Sequence, residues 1–573
     1  MKGKWFTFGC LTSIGLLIIM SIIGFSTIGF AVGNIASKKD RLQSDSWLHL
    51  KLSGVVEEYK QTKSSPFDER QCAFEIVHKI EKAATDDKIR GILLEPRGFA
   101  AGGVTLVNIG KALHDFSQTG KPVYAVFNMG TDRDYLIASY ADKIYLTPSF
   151  SGGIILTGTG TSKHYYKKLL AKLGIKMHVF HAGKFKGAFE NYTRDSMSPE
   201  LRQNIEPVLD GLYRYKLTVI AENRDMSIEQ ITDIYEQRDH MFIAPDEALE
   251  MGLVDELKQV WELKKELGID RKKLVGLDDY NMPENICSEP DRIAVIYCMG
   301  VIMPKGRWDE DYISSSRLIK TLEEVEKNDK IKAVVLRVNS PGGSALESDI
   351  ILSRIDALQK VKPVVISMGD IAASGGYFLS CHGDYVYAEP ATITGSIGVV
   401  SMLPEFEGLK KKLGFKDEYI SRGKFIFAIN PWQKLSPEMK TSMEYFGASV
   451  YKEFKSRIST GREMTMDEVE EVAQGRIWLA ETALEHQLID AVGNLDDAVA
   501  KAAELAKTHT WSEQYLPKRK SFFDVLLEEK LDFLQSSIVS KYLAANGFED
   551  LETLINSIGQ EPVQMLCPIT EIK

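Results

Sequence analysis

The chain repeats itself, and an internal repeat limits the possible architecture more than any single motif. Asp87-Lys-Ile-Arg-Gly-Ile-Leu-Leu94 returns 242 positions later as Asp329-Lys-Ile-Lys-Ala-Val-Val-Leu336. Lys121-Pro-Val-Tyr-Ala-Val-Phe-Asn-Met-Gly130 returns as Lys362-Pro-Val-Val-Ile-Ser-Met-Gly369, with a two-residue gap. Ala141-Asp-Lys-Ile-Tyr-Leu-Thr-Pro148 returns as Gly383-Asp-Tyr-Val-Tyr-Ala-Glu-Pro390. Gly183-Lys-Phe185 returns as Gly423-Lys-Phe425, and Ala248-Leu-Glu-Met-Gly-Leu-Val-Asp255 as Ala483-Leu-Glu-His-Gln-Leu-Ile-Asp490. Five blocks in one order mean two homologous halves.

Each half alternates short β-branched runs with helical patterns. In the second half the pattern predicts strands over 292–298, 332–338 and 364–368, and helices over 314–327 and 348–360. Continuous apolar strands separated by helices predict βα units with covered, largely parallel sheets, an α/β fold. The polar stretch over 278–291 separates the halves. Four regions follow: 1–40, a first repeat over 41–280, a second over 281–507, and a helical appendage over 508–573 with an amphipathic stretch at 522–534.

Residues 5–32 are almost wholly apolar and uncharged, flanked by Lys2 and Lys4 before and Lys38, Lys39 and Arg41 after. A spanning helix needs about 20 such residues, whereas the apolar core of a cleaved signal peptide is shorter, roughly 7–15. The N-terminus is therefore expected to be a retained transmembrane anchor in contact with lipid, with the remaining chain on one side. A net charge of −10 with no basic tail argues against nucleic acid as a partner. The six cysteines contain no CxxC pair, so neither a disulfide framework nor a zinc site is predicted.

Two segments carry the chemistry. In Met368-Gly-Asp-Ile-Ala-Ala-Ser-Gly-Gly-Tyr377 a strand runs into small residues, then Ser374, then Gly375 and a helical stretch over 377–381. Small neighbours let a substrate backbone approach, and a helix start offers N–H groups to a developing oxyanion. Taken alone, the segment is equally a tight strand-to-helix turn. Asn339-Ser-Pro-Gly-Gly-Ser344 can turn N–H groups into a cavity, or be an ordinary turn.

A serine hydroxyl needs a base. His382, beyond the helix, reads as a solvated loop residue, and His178 and His181 sit at a strand end before Gly183. A lysine serves instead where burial disfavours its charged form. The duplication points to one. Opposite Lys186, in Gly183-Lys-Phe-Lys-Gly-Ala-Phe-Glu190, the second half has Ile426, while the first half lacks the Ala-Ala-Ser-Gly-Gly element. Each half has what the other lacks.

These residues resemble the signal peptide peptidase A family in its long, duplicated form. The resemblance covers nearly the whole chain and rests on Ser340-Pro-Gly-Gly-Ser344, Gly369-Asp-Ile-Ala-Ala-Ser-Gly-Gly-Tyr377, Thr394-Gly-Ser-Ile-Gly398 and Gly183-Lys-Phe-Lys-Gly-Ala-Phe-Glu190. It implies two tandem ClpP/crotonase-like domains, Ser374 as nucleophile, Lys186 as general base, Ser396 as a supporting hydroxyl, and an oxyanion hole near Gly342, Gly343 and Gly375. It further implies a cofactor-free serine endopeptidase acting on remnant signal peptides. The family setting is a homotetramer on the outer, periplasmic side of the bacterial inner membrane. Asn191 stands where the family usually has proline, and Gln487 where it commonly has glycine. A crotonase-like acyl-CoA enzyme and a non-catalytic membrane scaffold are the rival readings, since fold type alone does not assign function.

Overall fold

The computed structural model describes residues 42–60, 70–281, 290–304 and 312–519, together with the backbone of 564–566. Two sheets of the same plan hold the two halves. In the first, the order is Glu256–Leu257, Lys143–Leu146, Val123–Phe127, Ile89–Ala100, Ser46–Glu57 and Leu274–Gly276. In the second, Val364–Ala373, Ile331–Ser340, Arg292–Met299 and Ser512–Leu516 lie side by side. Tyr385–Ala388 and Ala491–Val492 continue that sheet beyond Val364–Ala373. The central pairings are parallel, as expected of strands such as Lys-Ala-Val-Val-Leu-Arg-Val that offer no polar face. Helices pack on them through amphipathic stripes: Ser315–Lys327 buries Leu318, Leu322 and Val325.

The blocks shared by the halves are fold devices. Asp142 accepts from the Val123 N–H at 2.7 Å, and Asp384 does the same for Val364 at 2.6 Å. Lys121 Nζ ties down the carbonyls of Ala83 and Asp86, and Lys362 Nζ those of Val325 and Asn328. The buried Tyr135 hydroxyl donates to Leu253 O at 2.9 Å, and Tyr377 to Leu488 O at 2.9 Å. Each pair satisfies a strand end or a buried carbonyl that would otherwise lose its water partner.

The predicted strands and helices of the second half are present with ends moved by a few residues; the strand expected over 364–368 runs on to Ala373, and the helix after Ser374 is the single turn Gly375–Phe378. Residues 512–516, expected in a helical appendage, form a strand parallel to Arg292–Met299. They fill the edge that Leu274–Gly276 fills in the first repeat. The Ser-Glu-Gln-Tyr-Leu sequence shows only weak alternation, so its partner strand rather than its pattern decides its state. Among the described residues no helix is long and apolar enough to cross a membrane. The expected anchor over 1–40 and the amphipathic stretch over 522–534 lie outside the described residues.

The halves are fastened to each other. Tyr59 of the first stacks on Tyr297 of the second with ring centroids 4.0 Å apart. Arg337, fully buried, holds Glu58 of the first half and Glu389 of its own, the latter at 2.8 Å. Asp370 accepts from the N–H groups of Val104 and Thr105 at 2.8 and 3.2 Å, capping the helix Gly103–Gln118 across the boundary. A further sheet crosses between the halves: Lys176–Ala182 pairs antiparallel with Val399–Glu405. These contacts bring the loop after Ala182 against the end of Val364–Ala373.

Candidate active site

Ser374 lies where the apolar strand Val364–Ala373 ends. Its backbone is at φ 57°, ψ −115°, a conformation that L-residues adopt only when the surroundings hold them there. Two bonds do so: its N–H donates to Gly395 O at 2.7 Å, and its carbonyl accepts from the Phe378 N–H at 2.8 Å. The side chain is fully buried.

Lys186 reaches this point from the other half. Its Nζ lies 2.7 Å from Ser374 Oγ, 2.7 Å from Ser396 O and 2.9 Å from Ser396 Oγ. The lysine is 2% exposed, and Ser396 is fully buried at φ 52°. These three oxygens are neutral.

The loop carrying Lys186 is built by the second repeat. Phe185 N–H donates to Gln474 O at 2.7 Å, and Lys184 N–H to Gln474 Oε1 at 2.9 Å. Asn204, on the helix Pro199–Arg224, donates to Gly475 O and Phe185 O and accepts from the Ile477 N–H. The Arg476 guanidinium lies 3.8 Å from the Phe185 ring centre. Sequence reading did not single out Asn204, Gln474, Gly475 or Arg476. They form no motif and act through a loop more than two hundred residues away in sequence for all but Asn204.

Gly375 lies directly against the Pro-Gly-Gly turn: a Cβ on it would fall 3.2 Å from both Gly342 Cα and Gly343 N. Gly342 and Gly343 adopt φ of 103° and 155°, open to glycine and rarely to other residues. The Gly342 N–H donates to Ser340 Oγ at 3.2 Å. Gly375 opens its helix, where an N–H has no partner within the helix itself.

The histidines have other work. His382, expected to be solvated, is bound through Nδ1 to Asp356 at 2.7 Å and through Nε2 to Arg457 O at 2.8 Å. His178 bonds Glu405 at 2.8 Å across the inter-repeat strand pair, and His181 is exposed. Asn191 sits in the short 3₁₀ turn Glu190–Tyr192, and the lysine four residues before Glu190 keeps its contact with Ser374. Gln487 has φ 57°, matching the 73° of Gly252 in the first repeat, which explains why glycine suits that position.

Comparison with known proteins agrees with this layout. The sequence profile of Peptidase family S49 matches residues 115–274 and again 356–509. That of Clp protease matches 295–393. Protease 4 of Salmonella typhi is 33% identical over 470 residues, 79% of this chain and 75% of the relative. Protease 4 of Haemophilus influenzae is 31% identical over 526 residues, 86% and 83% respectively. The chloroplastic serine protease SPPA of Arabidopsis thaliana is 29% identical over 481 residues, 81% and 70%. With a profile matched in both halves and relatives aligned over most of their length, the chain belongs to peptidase family S49 and is a serine peptidase.

Proposed function

We propose that the chain is a membrane-anchored endopeptidase that hydrolyses remnant signal peptides through a Ser374–Lys186 dyad. One observation carries the dyad: the 2.7 Å approach of Lys186 Nζ to Ser374 Oγ, both side chains buried. Neutral Lys186 takes the Ser374 proton as Oγ bonds to the scissile carbonyl carbon, whose oxygen becomes the oxyanion. The N–H groups of Gly343 and Gly375 stabilise that charge, and the Gly342 N–H can join by leaving Ser340. Collapse breaks the C–N bond, and the lysine's proton goes to the leaving amine. Lys186 then deprotonates water, which attacks the ester and returns Ser374 with its proton. The Ser396 hydroxyl and carbonyl keep Nζ aimed at Oγ.

The apolar stretch over 5–32 supports membrane attachment, and the motifs shared with the signal peptide peptidase A family support the substrate, the homotetramer and the outer face of the bacterial inner membrane. Covalent labelling tests the core. A fluorophosphonate should add one adduct to the intact mass of the full chain and none to Ser374→Ala, and Lys186→Met should label far more slowly. An adduct on another residue, or turnover by Ser374→Ala, rejects the dyad. The same mass reads whether residues 1–40 are retained.

A further inference from the structure

A cavity of about 410 Å³ opens between the two repeats, with neither Ser374 nor Lys186 in its lining. Small-molecule sites fall in the range of roughly 300–1,000 Å³. Three rings form part of the wall: Phe74 stands edge-on to Tyr515 at 4.8 Å and to Tyr297 at 5.8 Å between ring centroids. Phe74 comes from the first repeat, and the two tyrosines stand on neighbouring strands of the second sheet. The lining is short of positive charge. Lys111 is paired with Asp115 at 2.9 Å, and Arg337 is already shared by Glu58 and Glu389. His78 is tied to Phe74 O at 2.8 Å and to the Tyr515 hydroxyl at 2.9 Å, and burial lowers its pKa, so it adds no cation. Glu81, Asp496 and Glu513 also line the cavity and have no ion-pair partner among the described residues. Burial, then the Asp496 charge, pushes the Glu513 carboxyl above its usual range, against the lowering effect of the Tyr515 hydroxyl. Deeper in, Tyr297 is only 7% exposed, yet its hydroxyl has no hydrogen-bond partner among the described residues. A buried polar group left unpaired calls for a partner from outside the fold.

We infer that this cavity is a binding site for a small aliphatic polyamine. Its ammonium groups answer the three unmatched carboxylates, and its methylene chain lies against Phe74 and Tyr515, whose rings also attract cations. An N–H of the ligand donates to the Tyr297 oxygen. The donor set suits an organic cation better than a metal ion, since among the described residues no three His, Cys, Asp or Glu side chains are grouped to hold one. Glu81 belongs to the first repeat, Asp496 and Glu513 to the second, so the bound molecule bridges the two.

Isothermal titration calorimetry of the full chain in neutral detergent, with spermidine at low ionic strength, tests this. One molecule should bind per chain. Glu81→Gln/Asp496→Asn should weaken binding at least about tenfold, and Tyr297→Phe about fivefold, the losses expected for charge-assisted and neutral hydrogen bonds. Glu481→Gln/Glu485→Gln removes the same charge from an exposed helix outside the cavity and should leave the affinity within about twofold. Magnesium chloride at the same concentration should not displace spermidine. No binding, several equivalent sites, equal weakening in the control pair, or displacement by magnesium overturns the inference. If the Glu81→Gln/Asp496→Asn chain does not fold, Tyr297→Phe decides alone, and an unchanged affinity then refutes the site.

Discussion

Gly475 lies so close beneath Lys186 that a Cβ built on it would fall 2.5 Å from the lysine's amide nitrogen and 2.7 Å from its Cα. Backbone cannot swing aside as a side-chain tip can. The residue is also at φ 82°, where an L side chain costs roughly 1–2 kcal/mol. Gly475→Ala should therefore push the Lys186 loop away from Ser374. A shift of about 1 Å in a catalytic group can lower turnover on the order of 100-fold. Peptidase kinetics should record that loss in kcat, with Tm lowered by only a few degrees; wild-type kcat would mean that the loop tolerates the displacement.

Ser396 holds Lys186 through two atoms, a carbonyl at 2.7 Å and a hydroxyl at 2.9 Å. Ser396→Ala removes only the second. The amine keeps its burial and one anchor but gains freedom to turn from Ser374. The expected result is kcat reduced about 10- to 100-fold, within the range that general-base positioning contributes, and an unchanged KM. Loss as complete as in Lys186→Met would give the hydroxyl a role in the chemistry itself.

Gln487 occupies a left-handed turn in which its counterpart in the first repeat is Gly252. A glycine there relieves the Cβ clash while adding some unfolded-state entropy. Gln487→Gly should raise stability by roughly 0.5–1 kcal/mol, read as a higher midpoint in urea unfolding, with peptidase activity unaltered.

Glu389 and Glu58 share the one guanidinium of Arg337. Burial pushes the Glu389 carboxyl up to about 7 from 4.5, against the lowering effects of Arg337 and Asn108. Between those values the native state holds a proton that the unfolded chain has released, so this group's contribution to stability falls as pH rises from about 4.5 to 7. Glu389→Gln keeps acceptor and shape without the ionisation. It should flatten that part of the stability curve and gain stability at pH 7 relative to pH 5, by on the order of a few kcal/mol at most. Parallel curves for the two proteins would show that Glu389 stays ionised throughout.

Much of this was legible in the chain alone. Lys121 and Lys362, Asp142 and Asp384, Tyr135 and Tyr377 recur because each closes a local structural need that both repeats have. The lysine and aspartate bonds span at most 38 residues and the tyrosine bonds 118 and 111, but each closes inside its own repeat, so the recurrence of residue type at matching positions reveals them. The complementary losses, Ile426 opposite Lys186 and no Ala-Ala-Ser-Gly-Gly in the first half, likewise marked where the halves diverge.

What the sequence determined by itself was the duplicated α/β plan and the two residues worth pairing. Only the tertiary structure decided that they meet at 2.7 Å, that Asn204 and Gly475 fix the lysine's loop, that Ser512–Leu516 is a strand, and that Gln564–Leu566 pairs with Gly342–Ser344. Hydrogen bonds and steric contacts act over a few ångströms whatever the separation along the chain. A sequence records which groups are able to bond; folding selects the distant partner that comes within reach.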